Sequence, residues 1–180
     1  MEYLPNIPRE LTKANIDQAI ENYKKLLDDI PISIKANNVL ELLKVLKRSS
    51  LNSGPYPNVS IFESANRIMT DLVILFGVKK LLNGAIKDIE FEKYKVEFGN
   101  ENLNDHDIVA YDSNKRLIGE AFNVAESFFQ TKKAKSLKKL RESQKDNEII
   151  ILLYNSDAVK NVYNPKNKSN EYYISVDIEM

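Results

Sequence analysis

Two carboxylates stand out in the stretch "DHDIVAYDSNKRLIGEAFNV", which covers residues 105–124. Asp107 begins one apolar run and Glu120 lies inside the next. Between the two runs, "DSNK" has the residue types that tight turns use. A turn centred on Ser113 and Asn114 therefore predicts a β-hairpin in which Asp107 lies directly opposite Glu120.

This opposition places two like charges close together. Directly opposed side chains share one face of a sheet, with Cβ atoms roughly 4.5–5.5 Å apart, so two carboxylates there repel each other. A divalent cation relieves that repulsion, and carboxylates from two strands, a backbone carbonyl and waters are ligands that Mg²⁺ accepts. Asp107 and Glu120 thus predict a Mg²⁺ site, with Mn²⁺ as a substitute. The alternative is a pair of strand-end acids with salt-bridge partners, and a one-residue slip in register would place them on opposite faces.

The surrounding elements follow from hydrophobic periodicity. Helices are predicted over residues 14–30, over "NNVLELLKVLKR" with Val39, Leu40, Leu43 and Leu46 directed inward, over residues 61–82 and over residues 132–142. Strands are predicted at "KYKVEFG", in both arms of the hairpin, at the apolar run from Glu148, and at "EYYISVDI". The helix at 61–82 is apolar on nearly all sides, which is typical of a helix buried under a sheet. This order predicts an α/β fold with a mixed β-sheet flanked by helices.

A loop-forming stretch, "SSLNSGPYPNVS", marks the one internal boundary. It divides a helical N-terminal region, residues 1–55, from an α/β core, residues 56–180, within one compact domain. Just after it, Ser60 and Glu63 have the spacing of a helix capping box.

Composition narrows the class of protein. The 180 residues contain 26 basic and 26 acidic side chains, so any affinity for nucleic acid must come from local clustering. No cysteine is present, which excludes disulfides and thiolate chemistry. The N-terminus lacks the pattern of a secretory signal, and charged residues interrupt the longest apolar stretch. We therefore expect a cytoplasmic protein with no membrane segment.

Taken together, these elements resemble the core of the PD-(D/E)xK nuclease superfamily, which includes many type II restriction endonucleases. The resemblance covers residues 61–155: a long helix with an acid near its start, a strand, a hairpin carrying Asp and then Glu, a lysine-rich helix and a buried strand. It implies a restriction-endonuclease-like fold.

Site residues carry over by position. Asp107 in "HDI" matches the first aspartate of the family and Glu120 in "GEAF" matches the second acid. Glu63 resembles the additional helix glutamate that completes the metal site in some members, so the implied ligands are Asp107, Glu120, Glu63 and the backbone carbonyl of Ala121. For Glu63, helix capping is the alternative role.

The chain departs from the family at Phe122, which occupies the position of the signature lysine. In the family this lysine assists the attacking water and the scissile phosphate. Lys132 and Lys133, at the start of the next predicted helix, are candidates to replace it, and Lys95 on the neighbouring strand is a third.

The implied function is a metal-dependent DNA endonuclease, specifically a type II restriction enzyme acting as a homodimer, with the N-terminal region supplying specificity or dimer contacts. A cluster of cations follows the site and predicts phosphate contacts, although such a cluster is also typical of a solvated helix face: Lys132, Lys133, Lys135, Lys138, Lys139 and Arg141.

Two other functional classes stay open. A catalytically degenerate nuclease fold could bind DNA or a partner protein without cutting, and Phe122 favours this alternative. A structural subunit would bind no nucleic acid even at low salt. His106, the one histidine, is either a general base or a hydrogen-bonding and packing residue, and residues 161–173 form either a surface loop or a contact with nucleic acid.

Overall fold

The computed structural model describes residue 4 and residues 6–87, 89–99, 101, 104–160 and 170–178. Most of the mixed segment at 161–173 therefore lies outside the described residues. The strands are β1 Glu10–Thr12, β2 Lys93–Val96, β3 Ile108–Tyr111, β4 Arg116–Phe122, β5 Ile149–Asn155 and β6 Glu171–Val176. The helices are α1 Ile16–Asp28, α2 Val39–Arg48, α3 Ile61–Leu82 and α4 Glu126–Ser143, and a 3₁₀ turn covers Ser156–Ala158.

All six strands form one mixed sheet in the order β1-β2-β3-β4-β5-β6. The first four strands are antiparallel neighbours, whereas β4, β5 and β6 run parallel. The parallel steps require crossovers, and α4 makes the one between β4 and β5. The predicted α/β fold with a mixed sheet flanked by helices is confirmed at this level.

The register of the hairpin matches the prediction. Val109 pairs with Ile118 and Tyr111 pairs with Arg116, so β3 and β4 follow the predicted alignment without a one-residue slip. Asp112 closes the turn, since its Oδ1 accepts hydrogen bonds from the backbone N–H groups of the two residues that end it, each at 2.7 Å. Side-chain acceptance of this kind is what favours Asp at the start of tight turns.

Helix α3 lies against one face of the sheet. It has the predicted bounds, and Ser60 accepts a hydrogen bond from the backbone N–H of Glu63 at 3.2 Å. Gly77 allows a close approach to β5, because a Cβ atom there would lie 2.2 Å from Leu153 Cδ1. Buried apolar residues of α1, α3 and the sheet form one cluster on this face.

Helix α4 covers part of the opposite face and begins at Glu126, earlier than the predicted start at Lys132. The additional turn places Phe129 in a second apolar cluster with Phe122 and Tyr154. Hydrophobic periodicity missed this turn because its two phenylalanines, Phe128 and Phe129, are adjacent and so lack the spacing of a helical face.

The N-terminal region contributes more to the sheet and less to the core than predicted. β1 pairs with β2 at the sheet edge, and α1 joins the main apolar cluster. The inward orientation predicted for α2 is wrong: Val39, Leu40 and Leu43 are 72%, 63% and 51% exposed, and α2 buries no residue completely. The helix contacts α3 along one side only, with Leu46 half-buried, so its wide apolar arc exceeds the surface available to cover it.

Within the described ranges, no helix combines the length and the apolar character that a membrane crossing requires.

Candidate functional site

A pocket of about 590 Å³ lies where α3, the sheet and the first half of α4 come together. Glu63 and Arg67 line it from α3, and Lys132 lines it from α4. Asp107 and Glu120 both line it from the hairpin. The structure thus brings the two predicted metal-ligating carboxylates into one cavity.

Asp107 directly precedes β3, at the next step of the hairpin register beyond Ile108 and Gly119, which places it opposite Glu120. Its Oδ2 accepts a hydrogen bond from the backbone N–H of Ala121 at 2.8 Å. The pKa of Asp107 is raised to about 6. Burial is the main cause and the negative charge of Glu120 is the second, while the hydrogen bond from the Ala121 N–H opposes the rise. The two acids therefore interact electrostatically, as their predicted opposition requires.

Glu120 is only 8% exposed and has two nitrogen neighbours on the same oxygen. Lys139 Nζ lies 2.7 Å from Glu120 Oε1, and His106 Nδ1 lies 3.0 Å from it. The salt-bridge alternative is thus also realised, because the carboxylate that could bind a metal already has a cationic partner.

The buried side chain of His106 links β4 to α4 through its two ring nitrogens. It is 4% exposed, and its Nε2 lies 3.0 Å from Ser143 Oγ near the end of α4. The two ring nitrogens thus contact Glu120 and Ser143. Because a carboxylate only accepts hydrogen bonds, the imidazole fixes the orientation of Glu120 when Nδ1 carries the proton and donates it. This placement matches the hydrogen-bonding role predicted as one alternative.

Phe122 packs in the core and offers no cationic function. It is 1% exposed, stacked on Tyr154 with ring centroids 6.3 Å apart and planes at 26°, and its centroid lies 6.0 Å from that of Phe129. The position predicted to correspond to the signature lysine is therefore part of an aromatic cluster under α4.

The cations of α4 divide between two faces. Lys132 lines the pocket and Lys139 contacts Glu120, and Lys135 shares their face by helical spacing. On another face, a shallow groove is lined by Lys133, Lys138 and Arg141. Only the first group is placed near the carboxylates.

The second group has other contacts. Lys133 Nζ lies 5.8 Å from the Phe129 ring centroid, Lys138 pairs with Glu142 at 3.7 Å, and Arg141 pairs with Glu171 at 2.8 Å. Lys95 likewise lies outside the carboxylate pocket, with Nζ 5.3 Å from the ring centroid of Tyr111.

Glu63 lines the pocket from the α3 side, but its carboxylate forms an ion pair with Arg67 one turn later. Its backbone N–H is capped by Ser60, as predicted. Among the described residues, no group of three or more His, Cys, Asp and Glu side chains is arranged to hold a metal ion. The carboxylate set therefore consists of Asp107 and Glu120, with Glu63 separate from them.

Sequence reasoning missed one residue at the site, Glu97, and one contact of a predicted residue, that of Lys139 with Glu120. Glu97 lines the pocket and is only 8% exposed, and its Oε2 accepts a hydrogen bond from the backbone N–H of Asn104 at 2.6 Å. In "KYKVEFG" the alternation of apolar and charged residues sets Glu97 opposite to the core-facing Val96 and Phe98, so no local signal indicates its burial. The contact of Lys139 with Glu120 had a usable signal, because Lys139 lies seven residues after Lys132 and so shares its helical face.

No protein-family model, curated protein or solved structure gives a significant match to this chain.

Proposed function

We propose that this protein is a metal-dependent nuclease that hydrolyses phosphodiester bonds in DNA. The observation that carries the proposal is the placement of Asp107 and Glu120 on one face of the hairpin, inside a pocket, with the pKa of Asp107 raised to about 6. Two neighbouring carboxylates that repel each other also attract a divalent cation, which relieves the repulsion.

The donor set fits Mg²⁺. This ion commonly uses one or two carboxylates and completes its shell with waters and substrate phosphates, so a third protein carboxylate is not required. Asp107, Glu120 and the backbone carbonyl of Ala121 would hold it, and Glu63 could join only by releasing Arg67. When bound, the ion would lower the pKa of a water molecule and offset negative charge on the phosphate, and Mn²⁺ would substitute for Mg²⁺.

The chain's own cations bind and orient the phosphate. Phe122 leaves the signature position without an ammonium group, and Lys139 brings one to within 2.7 Å of Glu120 from the adjacent helix. Lys132 brings a second to the pocket lining. In this proposal Lys139 and Lys132 contact the substrate phosphate, His106 holds Glu120 in position, and Lys133 contributes nothing to the chemistry.

A type II restriction enzyme is the specific form of this proposal, with a homodimer as its assembly. Cutting both strands of a duplex requires two active sites, and a two-fold dimer supplies them. The exposed apolar side chains of α2 belong to the N-terminal region, to which the proposal assigns specificity or dimer contacts.

The test is cleavage of long, mixed-sequence DNA by wild type and Glu120→Gln with Mg²⁺, Mn²⁺ or chelator. Glu142→Gln is the matched control, because Glu142 is an exposed acid on α4 outside the pocket. We expect metal-dependent cleavage that Glu120→Gln abolishes and Glu142→Gln retains, with discrete fragments if the enzyme is sequence-specific. Intact DNA in every lane, from folded protein, would overturn the proposal.

A second candidate function is metal-independent binding of nucleic acid. It is favoured by Phe122, which is locked in an aromatic cluster, and by Lys139, which already neutralises Glu120. Binding that is indifferent to chelator and to Asp107→Asn, with no cleavage under any condition, would support this candidate.

A further inference from the structure

The mouth of the carboxylate pocket carries two exposed phenylalanines. Phe62 lies in the first turn of α3 and is 47% exposed, and Phe128 lies in the first turn of α4 and is 64% exposed. Both line the same pocket as Asp107 and Glu120. The carboxylates are thus flanked from two helices by aromatic surface that the fold leaves in contact with solvent.

The hydrophobic core does not account for Phe128. Its neighbour Phe129 is 2% exposed and packs against Phe122 and Tyr154, so the core-facing position of this turn is already filled. Burial of a phenylalanine side chain stabilises a fold, and Phe128, at 64% exposed, makes little use of that contribution within the described part of the chain. A ring placed this way is suited to a ligand.

Each phenylalanine is accompanied by a lysine. Lys47 Nζ lies 3.8 Å from the ring centroid of Phe62, and Lys132, one helical turn after Phe128, lines the same pocket. Nucleotides combine a flat base with an anionic phosphate, and proteins bind single strands through aromatic rings for the bases and cations for the backbone. The two ring–lysine pairs match that chemistry.

We infer that the pocket binds an unpaired nucleotide of a single-stranded nucleic acid, with its base stacked on Phe128 or Phe62. The inference rests on the proposed function, because the neighbouring phosphate would lie at the cation that Asp107 and Glu120 would hold. A base inside a duplex already has both faces stacked and cannot reach these rings unless it is first extruded. The substrate class is therefore single-stranded, or duplex with an unpaired nucleotide, in preference to perfect duplex. The inference thus deepens the general nuclease proposal and opposes its restriction-enzyme form, which cuts perfect duplex.

The experiment measures binding by fluorescence anisotropy in chelator, where cleavage is blocked. The probes are one mixed-sequence oligonucleotide as a single strand, as a perfect duplex, and as a duplex with one bulged nucleotide. Wild type is compared with Phe128→Ser, Phe62→Ser and the conservative variants Phe128→Leu and Phe62→Leu. Tyr111→Ser is the control, because Tyr111 is an equally exposed aromatic residue, at 48%, outside this pocket.

We expect wild type to bind the single strand most tightly and the perfect duplex least tightly. Phe128→Ser and Phe128→Leu should each weaken single-strand binding about tenfold, since loss of one base–aromatic stack has an effect of that order. Duplex binding and the Tyr111→Ser variant should change less than twofold. The fluorescence of a 2-aminopurine base in the single strand should also fall on binding to wild type, and should fall less on binding to the phenylalanine variants.

Equal affinity for single strand and duplex, or single-strand affinity unchanged in all phenylalanine variants, would overturn the inference. Failure here is distinguishable from failure of the proposed function. If wild type shows metal-dependent cleavage that Asp107→Asn loses, but no preference between single strand and duplex, only the stacking site is refuted. If wild type prefers the single strand, Phe128→Leu loses that preference, and no metal supports cleavage, the stacking site is retained and the binding-module candidate is favoured.

Discussion

Two aspartates, the buried Asp71 and the half-buried Asp107, have surroundings that differ in an informative way. Asp71 in α3 is completely buried, and its Oδ2 accepts hydrogen bonds from the hydroxyls of Tyr23, at 2.6 Å, and Tyr56, while its Oδ1 accepts one from the backbone N–H of Gly99 at 3.1 Å. Asp107, by contrast, lines an open pocket and faces Glu120. One carboxylate is surrounded by donors, and the other is opposed by a second carboxylate.

Burial raises the pKa of both groups, that of Asp71 to about 7 and that of Asp107 to about 6. The secondary causes have opposite signs: hydroxyl donors lower the pKa of Asp71, whereas the charge of Glu120 raises that of Asp107. A raised pKa alone therefore does not separate a structural acid from a functional one. The partners do separate them, because Asp71 joins α1 and two loops to α3 through hydrogen bonds, whereas Asp107 faces a second carboxylate whose charge a bound cation would offset.

The largest expected effect on stability distinguishes these two roles. Asp71→Ala should lower the free energy of unfolding by about 3 kcal/mol or more, because the buried Tyr23 and Tyr56 hydroxyls lose their shared acceptor. Asp107→Asn should change it by less than about 1 kcal/mol, since repulsion from Glu120 is removed as the hydrogen bond from Ala121 weakens. Urea denaturation measures both values. Similar losses in the two variants would show that the site acid is also structural.

The next effect is the pH dependence of stability. The native pKa of Asp71 is about 7 against an ordinary value of 3.8, so between these pH values the native state binds more protons than the unfolded state. This group's contribution is therefore fully present below about pH 4 and is lost as the pH rises to about 7, by at most about 1.4 kcal/mol per pH unit. Asp107 contributes with the same sign up to about pH 6.

Denaturation of wild type and Asp71→Asn across this range isolates the contribution. The difference in unfolding free energy between the two proteins should change in favour of the variant as the pH rises. A difference that is constant from pH 4 to pH 7 would show that Asp71 titrates normally.

A smaller effect is expected from Mg²⁺ on thermal stability. Binding to the native pair should stabilise wild type by about 1.4 kcal/mol at ten times the dissociation constant. Asp107→Asn should lose this gain, whereas Asp71→Asn should keep it, because Asp71 has no part in the proposed cation site. Melting temperatures with Mg²⁺ and with chelator provide the measurement, and an equal shift in all three proteins would indicate non-specific binding.

The sequence was sufficient to predict the hairpin and its register, because turn chemistry and strand alternation act over a few residues. Asp112 fixed the turn, the turn fixed the register, and the register placed Asp107 opposite Glu120. Helix α3 was equally predictable from the sequence, since its capping residue Ser60 and the glycine that follows its end, Gly84 with φ of +81°, lie next to the helix in the chain.

What the sequence did not reveal depends on contacts between distant segments. The pairing of β1 with β2 joins short strands more than 80 residues apart. The contact of Lys139 with Glu120 depends on how α4 lies across β4, and the burial of Glu97 on the position of the loop after β2. An apolar arc on α2 indicated burial, but burial also requires a surface to cover it, and the sheet faces are occupied by α3 and α4.

The smallest expected effect tests the difference in burial between the apolar side chains of α2 and those of α3. Leu40 on α2 is 63% exposed, so Leu40→Ser should change the free energy of unfolding by no more than about 0.5 kcal/mol. Leu75 on α3 is completely buried, and Leu75→Ala should cost about 2–5 kcal/mol through lost burial and the cavity left behind. Urea denaturation at low protein concentration compares them. If Leu40→Ser instead costs as much as Leu75→Ala, α2 must be covered in solution, and a concentration dependence of that cost would identify a second copy of the chain as the cover, since dissociation on dilution removes the contribution.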